Sequence, residues 1–463
     1  MGPASNQPEV LRELIAEGLN VARLNFSHGD HSVHGQTLQT IRSLNEELGT
    51  HVSTLADLQG PKLRVGDIQG GVMNLVDGEM LFIRTGREVG KDGVVCTNYM
   101  QFAKDVQPGE PVLLDDGKLE LKVLETNGVD EVKCLIVHGG KLKPRKGINL
   151  PSTAISLPCI TEKDSEDLDF ALENDVDWIG LSFVRRAADI HELRARIEAT
   201  GKHSRIIAKI EKPEALSDLD AILDATDAVM VARGDLGVEI PMQDVPLVQK
   251  DIIRRCMERS KPVIVATQMM ESMIEAPVPT RAEVNDVANA VLDGADAVML
   301  SAETSVGAYP VNAVRSMTRI IESMEAHDDM YYHERVPMAA TDERFISDSI
   351  CYNACRLAKR VNASAIVTMT FSGYTAMQVA SQRPKSHIFV FTANKRILSQ
   401  MSLVWGVTAH PYLKMVSTDH TIADIKYVLF KQGDVREGDF VIHLASMPIA
   451  DAGTTNMLKL TKV

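Results

Sequence analysis

The sequence has few cysteines, few basic residues and no long apolar run, and each shortage excludes a class of protein. The six cysteines are scattered over 463 residues without a Cys-x-x-Cys pair, which argues against a disulfide framework and indicates reduced thiols. Acidic residues outnumber basic ones by 63 to 49, and a net charge of −14 excludes a general surface for nucleic acid or anionic membranes. No apolar stretch reaches the ~18 residues that span a bilayer, and no signal-peptide pattern opens the chain. We therefore expect a cytoplasmic protein.

A chain of 463 residues is long enough for roughly three domains of about 150 residues each. Its most regular feature is a series of short aliphatic runs, each followed by a helical pattern: 177–183, 205–210, 227–232, 262–267 and 296–301. Continuous apolar runs between helices are typical of parallel strands buried on both faces. Two similar runs at 20–25 and 52–57 bring the predicted strands to seven. A closed parallel barrel needs eight strands, and a doubly wound open sheet is the alternative.

Two other regions have a different pattern. Between residues 62 and 157, short alternating runs are separated by turn signals such as Asp116-Gly117 and Asn127-Gly128, which predicts an antiparallel β domain inserted as a lid. After residue 328 the alternation of strands and helices resumes as a separate α/β domain, with a helix predicted near 345–361 and strands at 365–368, 387–391 and 440–444. The predicted domains are a barrel at 1–61 and 158–328, a lid at 62–157 and a C-terminal domain at 329–463.

The first chemical cluster follows two neighbouring predicted strands. Lys209 and Glu211 are two residues apart on a strand and so point to the same side, and Asp235 lies one strand–helix unit later. Two carboxylates with substrate oxygens and waters make a Mg²⁺ or Mn²⁺ site. The lysine can neutralise negative charge on the group that is transferred. An ion-pair network that closes the barrel end is the alternative.

A second cluster lies at the end of the first predicted strand. Arg23, Asn25 and Ser27 alternate in phase, a set suited to phosphate oxygens. The nearby His28, His31 and His34 raise the question of a zinc site, but no cysteine accompanies them, and we predict a solvated loop.

The third cluster follows the second predicted strand. Asp57 ends that strand, and the turn at Gly60-Pro61 introduces Lys62 and Arg64. A Gly-Pro turn here is a plausible hinge into the lid. Ordinary surface charge is the alternative.

Four further motifs connect these clusters to a known family: Ala-Thr-Gln-Met-Met-Glu-Ser-Met at 266–273, Pro-Thr-Arg-Ala-Glu-Val-Asn at 279–285, Ser-Ala-Glu-Thr at 301–304 and Lys-Gly-Ile-Asn-Leu-Pro at 146–151. In the same order and over essentially the whole chain, they resemble the signatures of pyruvate kinase. The resemblance implies a TIM (β/α)8 barrel with an inserted antiparallel β-barrel lid and a C-terminal α/β domain, in a homotetramer. It also implies transfer of the phosphoryl group of phosphoenolpyruvate to ADP, which gives ATP and pyruvate.

The resemblance assigns a role to residues of every cluster. Lys209 would stabilise the phosphoryl group during transfer, and Arg23 would contact its oxygens. Glu211 and Asp235 would hold the divalent metal, Thr267 would lie at the enolate face, and Ser301 and Glu303 would form a proton relay. The backbone amides of Ala232, Arg233, Gly234 and Asp235 would bind the substrate carboxylate. The nucleotide would bind near Asn25, His28, Arg64 and Lys146. We expect Thr267 to deliver the proton through water.

The sequence departs from the family pattern at a monovalent-cation position. Members with a potassium site carry Thr-Lys-Gly-Pro-Glu where this chain has Leu-Gln-Gly-Pro-Lys at 58–62. The position retains Asn25, Ser27 and Asp57 beside Leu58, but the glutamate is replaced by Lys62. A tethered ammonium can supply the charge that potassium supplies elsewhere, so we expect that potassium is not required.

A second departure concerns the barrel. The family has a strand just before the motif Gly-Pro-Ala-Ser, which here occupies residues 2–5, so we expect the first barrel strand to be missing from this chain. A seven-stranded barrel leaves two unpaired edges. We expect a form extended by about 20 residues to be more stable and more active.

In the C-terminal domain, a loop of small hydroxyl residues and a glycine follows a strand: Thr370, Ser372, Gly373 and Thr375. Such a loop can cradle phosphate, and in the family it resembles the pocket for a sugar-phosphate or nucleotide effector. An ordinary turn is the alternative. For the whole protein, the alternatives are a metal-dependent barrel lyase or aldolase that acts on a keto acid, and a ligand-sensing pseudoenzyme.

Overall fold

The computed structural model describes residues 1–337, 344–414, 417–448 and 453–463. The strands are, in chain order, β1 (Val21–Asn25), β2 (Ser53–Asp57), β3 (Met73–Leu75), β4 (Met80–Thr85), β5 (Val94–Thr97), β6 (Pro111–Leu114), β7 (Leu119–Thr126), β8 (Glu131–His138), β9 (Gly140–Leu142), β10 (Ile148–Asn149), β11 (Trp178–Leu181), β12 (Arg205–Ile210), β13 (Ala228–Ala232), β14 (Val263–Ala266), β15 (Ala297–Met299), β16 (Ala365–Met369), β17 (His387–Thr392), β18 (Val407–Pro411), β19 (Phe440–Ala445) and β20 (Met457–Lys462).

The α-helices are α1 (Pro8–Ala16), α2 (His31–Leu48), α3 (Phe102–Asp105), α4 (Glu162–Glu173), α5 (Ala187–Ala199), α6 (Pro213–Ser217), α7 (Leu219–Ala225), α8 (Arg233–Glu239), α9 (Val245–Glu258), α10 (Arg281–Asp293), α11 (Ala302–Ser305), α12 (Pro310–Glu325), α13 (Phe345–Val361), α14 (Tyr374–Ser381), α15 (Lys395–Gln400) and α16 (Thr418–Gln432). None of the helices in the described ranges combines the length and the hydrophobicity that crossing a membrane requires.

The largest sheet contains all seven strands predicted for the barrel. Its order is β1-β2-β11-β12-β13-β14-β15, and every pair is parallel. Because spatial order follows chain order, the sheet winds in one direction, whereas a doubly wound sheet reverses its order at a switch point. The barrel prediction is therefore confirmed over the doubly wound alternative.

The interior of this sheet is filled by large apolar side chains. Trp178 is fully buried there, packed with Leu55, Ile207, Met230 and Ile264. A packed interior of this kind leaves no pore and is typical of parallel barrels. It also holds the strand ends in a fixed relation to one another, which positions the side chains at the carboxyl edge.

The two outer strands, β1 and β15, form no ladder with each other in the described residues. The segment before α1 contacts both sides of this gap. The amino group of Met1 donates to the carbonyl of Arg23 on β1 at 2.7 Å, and the Ala4 amide donates to the carbonyl of Ser305, just after β15, at 3.0 Å. The first four residues therefore bridge the two sides of the sheet.

The inserted segment forms a six-stranded sheet in the order β10-β6-β7-β8-β4-β5, with a two-stranded sheet of β3 and β9. Most pairs are antiparallel, as the turn signals predict. The prediction is wrong for one pair, because β5 runs parallel to β4. The turn at Asp92-Gly93 is present with positive φ at both residues, but it closes an antiparallel bridge between Lys91 and Val94 and does not join β4 to β5.

The C-terminal domain contains a five-stranded sheet in the order β18-β17-β16-β19-β20. Strands β16, β17 and β19 and the helix α13 coincide with the predicted elements. Two edge strands, β18 and β20, were not predicted, and β20 is antiparallel to β19. Edge strands have one solvated side, so their sequences lack the continuous apolar run that identifies a central parallel strand.

The cysteines and the histidines of the second cluster complete the comparison. All six cysteines are free and buried, which fits the prediction of reduced thiols. The prediction of a solvated loop is wrong for His34, which is buried in α2 and packs against the ring of Phe26. His31 begins the same helix and pairs with Asp167 at 2.8 Å.

Candidate active site

A buried lysine lies at the centre of the carboxyl edge of the barrel. The ammonium Nζ of Lys209 is 2.8 Å from Oε1 of Glu211 and 3.0 Å from Oδ1 of Asp57, and it donates to Oγ of Ser182 at 2.5 Å. Lys209 and Glu211 face the same side, as the period of two predicts. The contact with Asp57 crosses an intervening strand, because β11 lies between β2 and β12.

Gly180 on β11 makes that crossing feasible. A Cβ atom at this position would lie 3.4 Å from Oδ1 of Asp57 and 3.5 Å from its Cα. A larger side chain would therefore enter the space through which Asp57 reaches Lys209. The glycine leaves the two charges in direct contact across one strand.

The charges of this cluster hold each other ionised. Burial acts to lower the pKa of Lys209, but the Asp57 and Glu211 carboxylates outweigh it and raise that pKa well above its usual value. Burial also acts to raise the pKa of Asp57, yet the neighbouring Arg23 and Lys209 lower it. Arg23 completes the network, because its Nε donates to Oδ2 of Asp57 at 2.6 Å.

Glu211 and Asp235 are the two acidic groups predicted to hold a divalent metal. Burial raises the pKa of Glu211, Lys209 lowers it, and the nearby Asp235 carboxylate raises it again, so the pKa lies above its usual value. Two negative groups that repel each other in this way fit a cation placed between them. The described residues contain no group of three or more His, Cys, Asp or Glu side chains arranged for a metal. A metal here would therefore take its remaining oxygens from water and substrate.

Glu211 is further fixed by a backbone contact. Its Oε2 accepts a hydrogen bond from the Phe183 amide at 2.7 Å, while Oε1 contacts Lys209. Phe183 has a φ of +55°, a left-handed conformation that is rare for a bulky residue. Such outliers occur where the surrounding structure enforces them, commonly at functional sites.

Thr267, which follows β14, also has a left-handed backbone conformation. Its φ is +70°, an outlier for a β-branched residue, and the next residue, Gln268, also has positive φ. The Thr267 hydroxyl donates to the Ala266 carbonyl at 2.6 Å and accepts from the Gly234 amide at 2.7 Å. One of the amides predicted to bind the substrate carboxylate is thus engaged by Thr267.

Arg233 holds the Thr267 backbone in place. Its guanidinium contacts Oδ1 of Asp286 and donates to the Thr267 carbonyl, both at 2.7 Å. Ala232 ends β13 and Arg233 begins α8, so the polypeptide turns at this point to place Asp235 in the first turn of the helix.

Ser301 and Glu303 lie beyond the last barrel strand. Glu303 is buried, and its carboxylate accepts hydrogen bonds from the Ser301 amide at 2.7 Å and from the Met270 amide at 3.4 Å. Met270 follows Thr267 on the same loop, so Glu303 connects the loop after β14 with the loop after β15. The predicted relay residues therefore adjoin the loop that carries Thr267.

The arrangement described so far consists of buried cations and carboxylates at the carboxyl edge of a parallel barrel. Residues 1–314 match the barrel domain of pyruvate kinase, and residues 348–461 match its alpha/beta domain. The chain belongs to the pyruvate kinase family. As a pyruvate kinase-family member it is a kinase of glycolysis, and the family implies phosphoenolpyruvate and ADP as its substrates.

Individual relatives agree with this assignment. Pyruvate kinase of Mycobacterium tuberculosis is 43% identical over 463 residues, which cover 100% of this chain and 97% of the relative. Pyruvate kinase of Corynebacterium glutamicum is 44% identical over 458 residues, 99% of this chain and 95% of the relative. A crystal structure of a pyruvate kinase from Cryptosporidium parvum superposes with a TM-score of 0.93 at 37% identity, covering 100% of this chain and 94% of that one.

Lys62 is the residue whose ammonium the sequence predicts to stand in for a monovalent cation. Its Nζ lies 3.9 Å from Oδ1 of Asp235, with its side chain about one-third exposed. Asn25, at the monovalent-cation position, accepts from the Ser27 amide at 3.0 Å, and Asp57 is paired with Arg23 and Lys209. In this structure the Lys62 ammonium therefore lies beside Asp235, one of the two predicted metal ligands.

The residues predicted for the nucleotide are divided between the barrel and the lid. His28 is exposed on the barrel, and its carbonyl contacts the ring of His34 at 3.0 Å. On the lid, Arg64 donates to the Arg145 carbonyl at 3.1 Å, and Lys146 pairs with Asp115 at 2.7 Å. The hydrogen bond from Lys146 to Asp115 raises the pKa of Lys146, which keeps its ammonium charged.

Gly60, the predicted hinge residue, lies where the chain enters the lid. Its φ is +69°, and a Cβ there would lie 2.7 Å from the Phe183 ring and 3.0 Å from Ser182. The Gly60 amide donates to Oδ1 of Asp164 at 3.0 Å. Only glycine fits both the backbone conformation and the contact with the site, which ties the hinge to the residues that hold Glu211 and Lys209.

The predicted effector loop is far from this mouth, at the start of α14. The Gly373 amide donates to Oγ1 of Thr370 at 3.0 Å, and Thr375 is buried with its hydroxyl 2.7 Å from that of Thr455. Arg205, at the first position of β12, donates to the Ser372 carbonyl at 2.5 Å. The Thr370 hydroxyl is thus engaged by an amide of the same loop, and the Thr375 hydroxyl by Thr455.

Sequence reasoning missed several residues of the site. Ser182 and Phe183 end the predicted run 177–183, so a polar residue at a strand terminus was the available signal. Lys212 and Glu239 are buried beside the site and paired at 2.8 Å. Their residue types are common on surfaces, so only the three-dimensional structure identifies them.

Proposed function

We propose that this carboxyl-edge site performs phosphoryl transfer from phosphoenolpyruvate to ADP with Lys209 as its central cation. The observation that carries the proposal is an ammonium kept charged inside the protein between two carboxylates. Phosphoryl transfer needs fixed positive charge and in-line positioning more than it needs a nucleophile on the protein. A buried ammonium meets that need, because its charge is little screened by water.

In the proposal, Arg23 on β1 and Lys209 on β12 bind the phosphoryl oxygens. Arg23 is held by Asp57 and keeps its side chain one-fifth exposed, so part of the guanidinium remains open to the cleft. The Asp57 carboxylate orients both cations at once. The two cations share the charge of the group in transfer and keep it in one place.

Glu211 and Asp235 are proposed to hold the divalent cation, Mg²⁺ or Mn²⁺. When bound, such a cation neutralises charge that develops on the phosphate and enolate oxygens. The proximity of the two carboxylates supports this role, and the exposed third of the Asp235 side chain leaves room for water and substrate ligands.

Thr267 is proposed to face the enolate and to supply the proton to its carbon through a water molecule. Its backbone is held in the left-handed region, and its hydroxyl lies 2.7 Å from the Gly234 amide. Ser301 and Glu303 would return a proton to the Thr267 hydroxyl, since Glu303 connects the loops on which Ser301 and Thr267 lie. The amides of residues 232–235 would bind the substrate carboxylate, with the Gly234 amide shared with Thr267.

The nucleotide is proposed to bind between barrel and lid, against Asn25, His28, Arg64 and Lys146. Lid closure at Gly60 would bring Arg64 and Lys146 over the phosphates. Lys62, at the base of the same cleft, is proposed to supply the positive charge that potassium supplies in other members of the family. Its contact with Asp235 keeps that charge at the mouth.

Three wider features also belong to the proposal. The loop of Thr370, Ser372, Gly373 and Thr375 would bind a sugar-phosphate or nucleotide effector, and the protein would act as a cytoplasmic homotetramer. The domain boundaries stay as predicted from the sequence, at residues 62, 158 and 329. The effector site and the homotetramer rest on the family resemblance, the cytoplasmic location rests on the composition, and the boundaries rest on the changes of sequence pattern.

A coupled assay tests the central reaction. The full chain is incubated with phosphoenolpyruvate, ADP and Mg²⁺, and ATP and pyruvate are measured separately. Equal amounts of both products are expected. Pyruvate without ATP would favour a lyase-type reaction, and neither product from folded protein would favour a ligand sensor.

A further inference from the structure

A second buried ion pair lies directly beside the proposed metal ligands. Nζ of Lys212 is 2.8 Å from Oε1 of Glu239, and both side chains are almost completely buried. The amide Nδ2 of Asn149, from the base of the lid, donates to the same oxygen at 2.8 Å. A barrel strand end, a barrel helix and the lid therefore meet at a single carboxylate.

Each partner sits next to a residue of the site. Lys212 immediately follows Glu211 in the chain, and Glu239 lies four residues after Asp235 in α8. Residues four apart share one face of a helix. The ion pair thus joins the segment that carries one proposed metal ligand to the helix that carries the other.

The surroundings of the pair favour a functional role over simple packing. The other oxygen of Glu239, Oε2, is buried and has no hydrogen-bond partner among the described residues. The pair lines a cavity together with Lys62, Arg185 and Asp235, between lid and barrel. Keeping two charges and an unpartnered oxygen out of water is costly unless their arrangement serves a purpose.

We infer that Lys212, Glu239 and Asn149 are positioning residues for phosphoryl transfer. The ion pair sets the separation of Glu211 and Asp235 that a divalent cation requires, and Asn149 docks the lid on the same carboxylate. The inference rests on the proposed function, since it assumes that Glu211 and Asp235 bind the cation. It adds that Glu239 couples the position of the lid to the geometry of the cation site.

The first experiment measures Mn²⁺ affinity directly, by the paramagnetic resonance signal of free Mn²⁺, in the full chain without substrates. Glu239→Gln keeps the shape and the acceptor for Asn149 but removes the charge that holds Lys212. We expect its Mn²⁺ Kd to rise about tenfold, as for other groups that orient metal ligands. Lys212→Arg preserves the ion pair, and its Kd is expected to stay within about twofold of the parent.

A double variant separates positioning from simple electrostatics. Glu239→Gln alone leaves an unpaired ammonium, which could repel the cation or prevent folding. Lys212→Met combined with Glu239→Gln removes both charges, and we expect the weakened affinity to persist. Parental affinity in the double variant would overturn the inference, because the effect would then be charge repulsion alone.

The lid contact is tested by Asn149→Ala. This change leaves the ion pair in place, so Mn²⁺ affinity is expected to stay within about twofold. The KM for ADP is expected to rise roughly fivefold, the effect of one lost hydrogen bond. Unchanged KM for ADP would remove the docking role of Asn149.

Two controls complete the design. Asp296→Asn removes a buried carboxylate at the other end of the barrel, where Asp296 pairs with Arg383 at 3.3 Å, and should lower stability without changing Mn²⁺ affinity. Glu211→Gln should abolish Mn²⁺ binding. If it does not, the proposed metal site is wrong. If it does while Glu239→Gln binds Mn²⁺ like the parent, only the present inference is wrong.

Discussion

The barrel mouth and the loop at the start of α14 are both predicted to bind phosphate, yet they are built differently. At the mouth, Lys209, Glu211 and Asp57 are charged and buried, 8%, 1% and 1% exposed. In the loop, neutral hydroxyls of Thr370 and Thr375 are satisfied by neighbouring residues of the protein. Buried charge is costly and needs a purpose, whereas neutral hydrogen bonds also stabilise an ordinary turn. The mouth therefore supports a functional assignment more strongly than the loop does.

The largest expected effect comes from removing the central cation of the mouth. Lys209→Met should lower kcat at least about 1,000-fold, because a fixed charge on the transferring group is lost. It should also lower the free energy of unfolding by about 3–5 kcal/mol, since Glu211 would lose the ammonium that pairs with it and Asp57 would keep only Arg23. Turnover is measured by the coupled assay and stability by urea unfolding.

The matched control is Lys202→Met, which removes a lysine paired with Asp175 at 2.8 Å on the surface. Such pairs contribute about 0–1 kcal/mol, so both quantities should stay near those of the parent. Retention of kcat within about tenfold in Lys209→Met would remove the distinction between mouth and loop.

The second effect concerns the cation at the base of the cleft. The parent should be substantially active in buffer free of potassium and sodium. In the same buffer, the activity of Lys62→Met should be about tenfold lower than that of the parent, and added potassium should restore part of it. Lys143→Met, an exposed lysine of the lid, serves as the control. Strong activation of the parent by potassium would contradict the role of Lys62.

A third effect is the loss of stability in acid that a buried histidine of the C-terminal domain causes. Burial lowers the pKa of His443 to about 3, and the ring contacts Thr461 at 3.0 Å. The unfolded chain binds a proton near pH 6.5, so stability is complete above that pH and falls as the pH falls from 6.5 towards 3. The contribution of this group reaches about 1.4 kcal/mol per pH unit.

His443→Gln should therefore flatten the decline of the free energy of unfolding between pH 6.5 and pH 5. The measurement is urea unfolding at several pH values, followed separately by activity and by circular dichroism. The exposed His191→Gln is the control. An unchanged pH slope in His443→Gln would show that this histidine does not govern the acid sensitivity.

The smallest effect is expected at the predicted effector loop at the start of α14. Ser372→Ala and Thr375→Ala should each weaken the binding of a sugar phosphate roughly fivefold, the loss of one hydrogen bond. Titration calorimetry with the parent and with Thr418→Ala as a control measures this. Binding that is identical in all four proteins would reduce the loop to an ordinary turn.

The sequence predicted much of the barrel and the centre of its mouth. The run 205–210 coincides with β12, and the period of two places Lys209 and Glu211 on one side. The role of Asp57 beside Lys209 could not be predicted, because the two residues are 152 positions apart and meet across β11, where Gly180 leaves space. The buried His34 was also missed, since its helix packs a face that the sequence pattern alone leaves polar.

The order of apolar runs and polar strand ends determined the sequential parallel sheet, the inserted lid and the residue types at the mouth, because these depend on local periodicity. The tertiary structure alone decided which charges meet. Closing the strands around a packed interior brings Asp57 to Lys209, Glu239 to Lys212 and Asn149 to Glu239. Such contacts depend on distances across the fold, which no short stretch of sequence encodes.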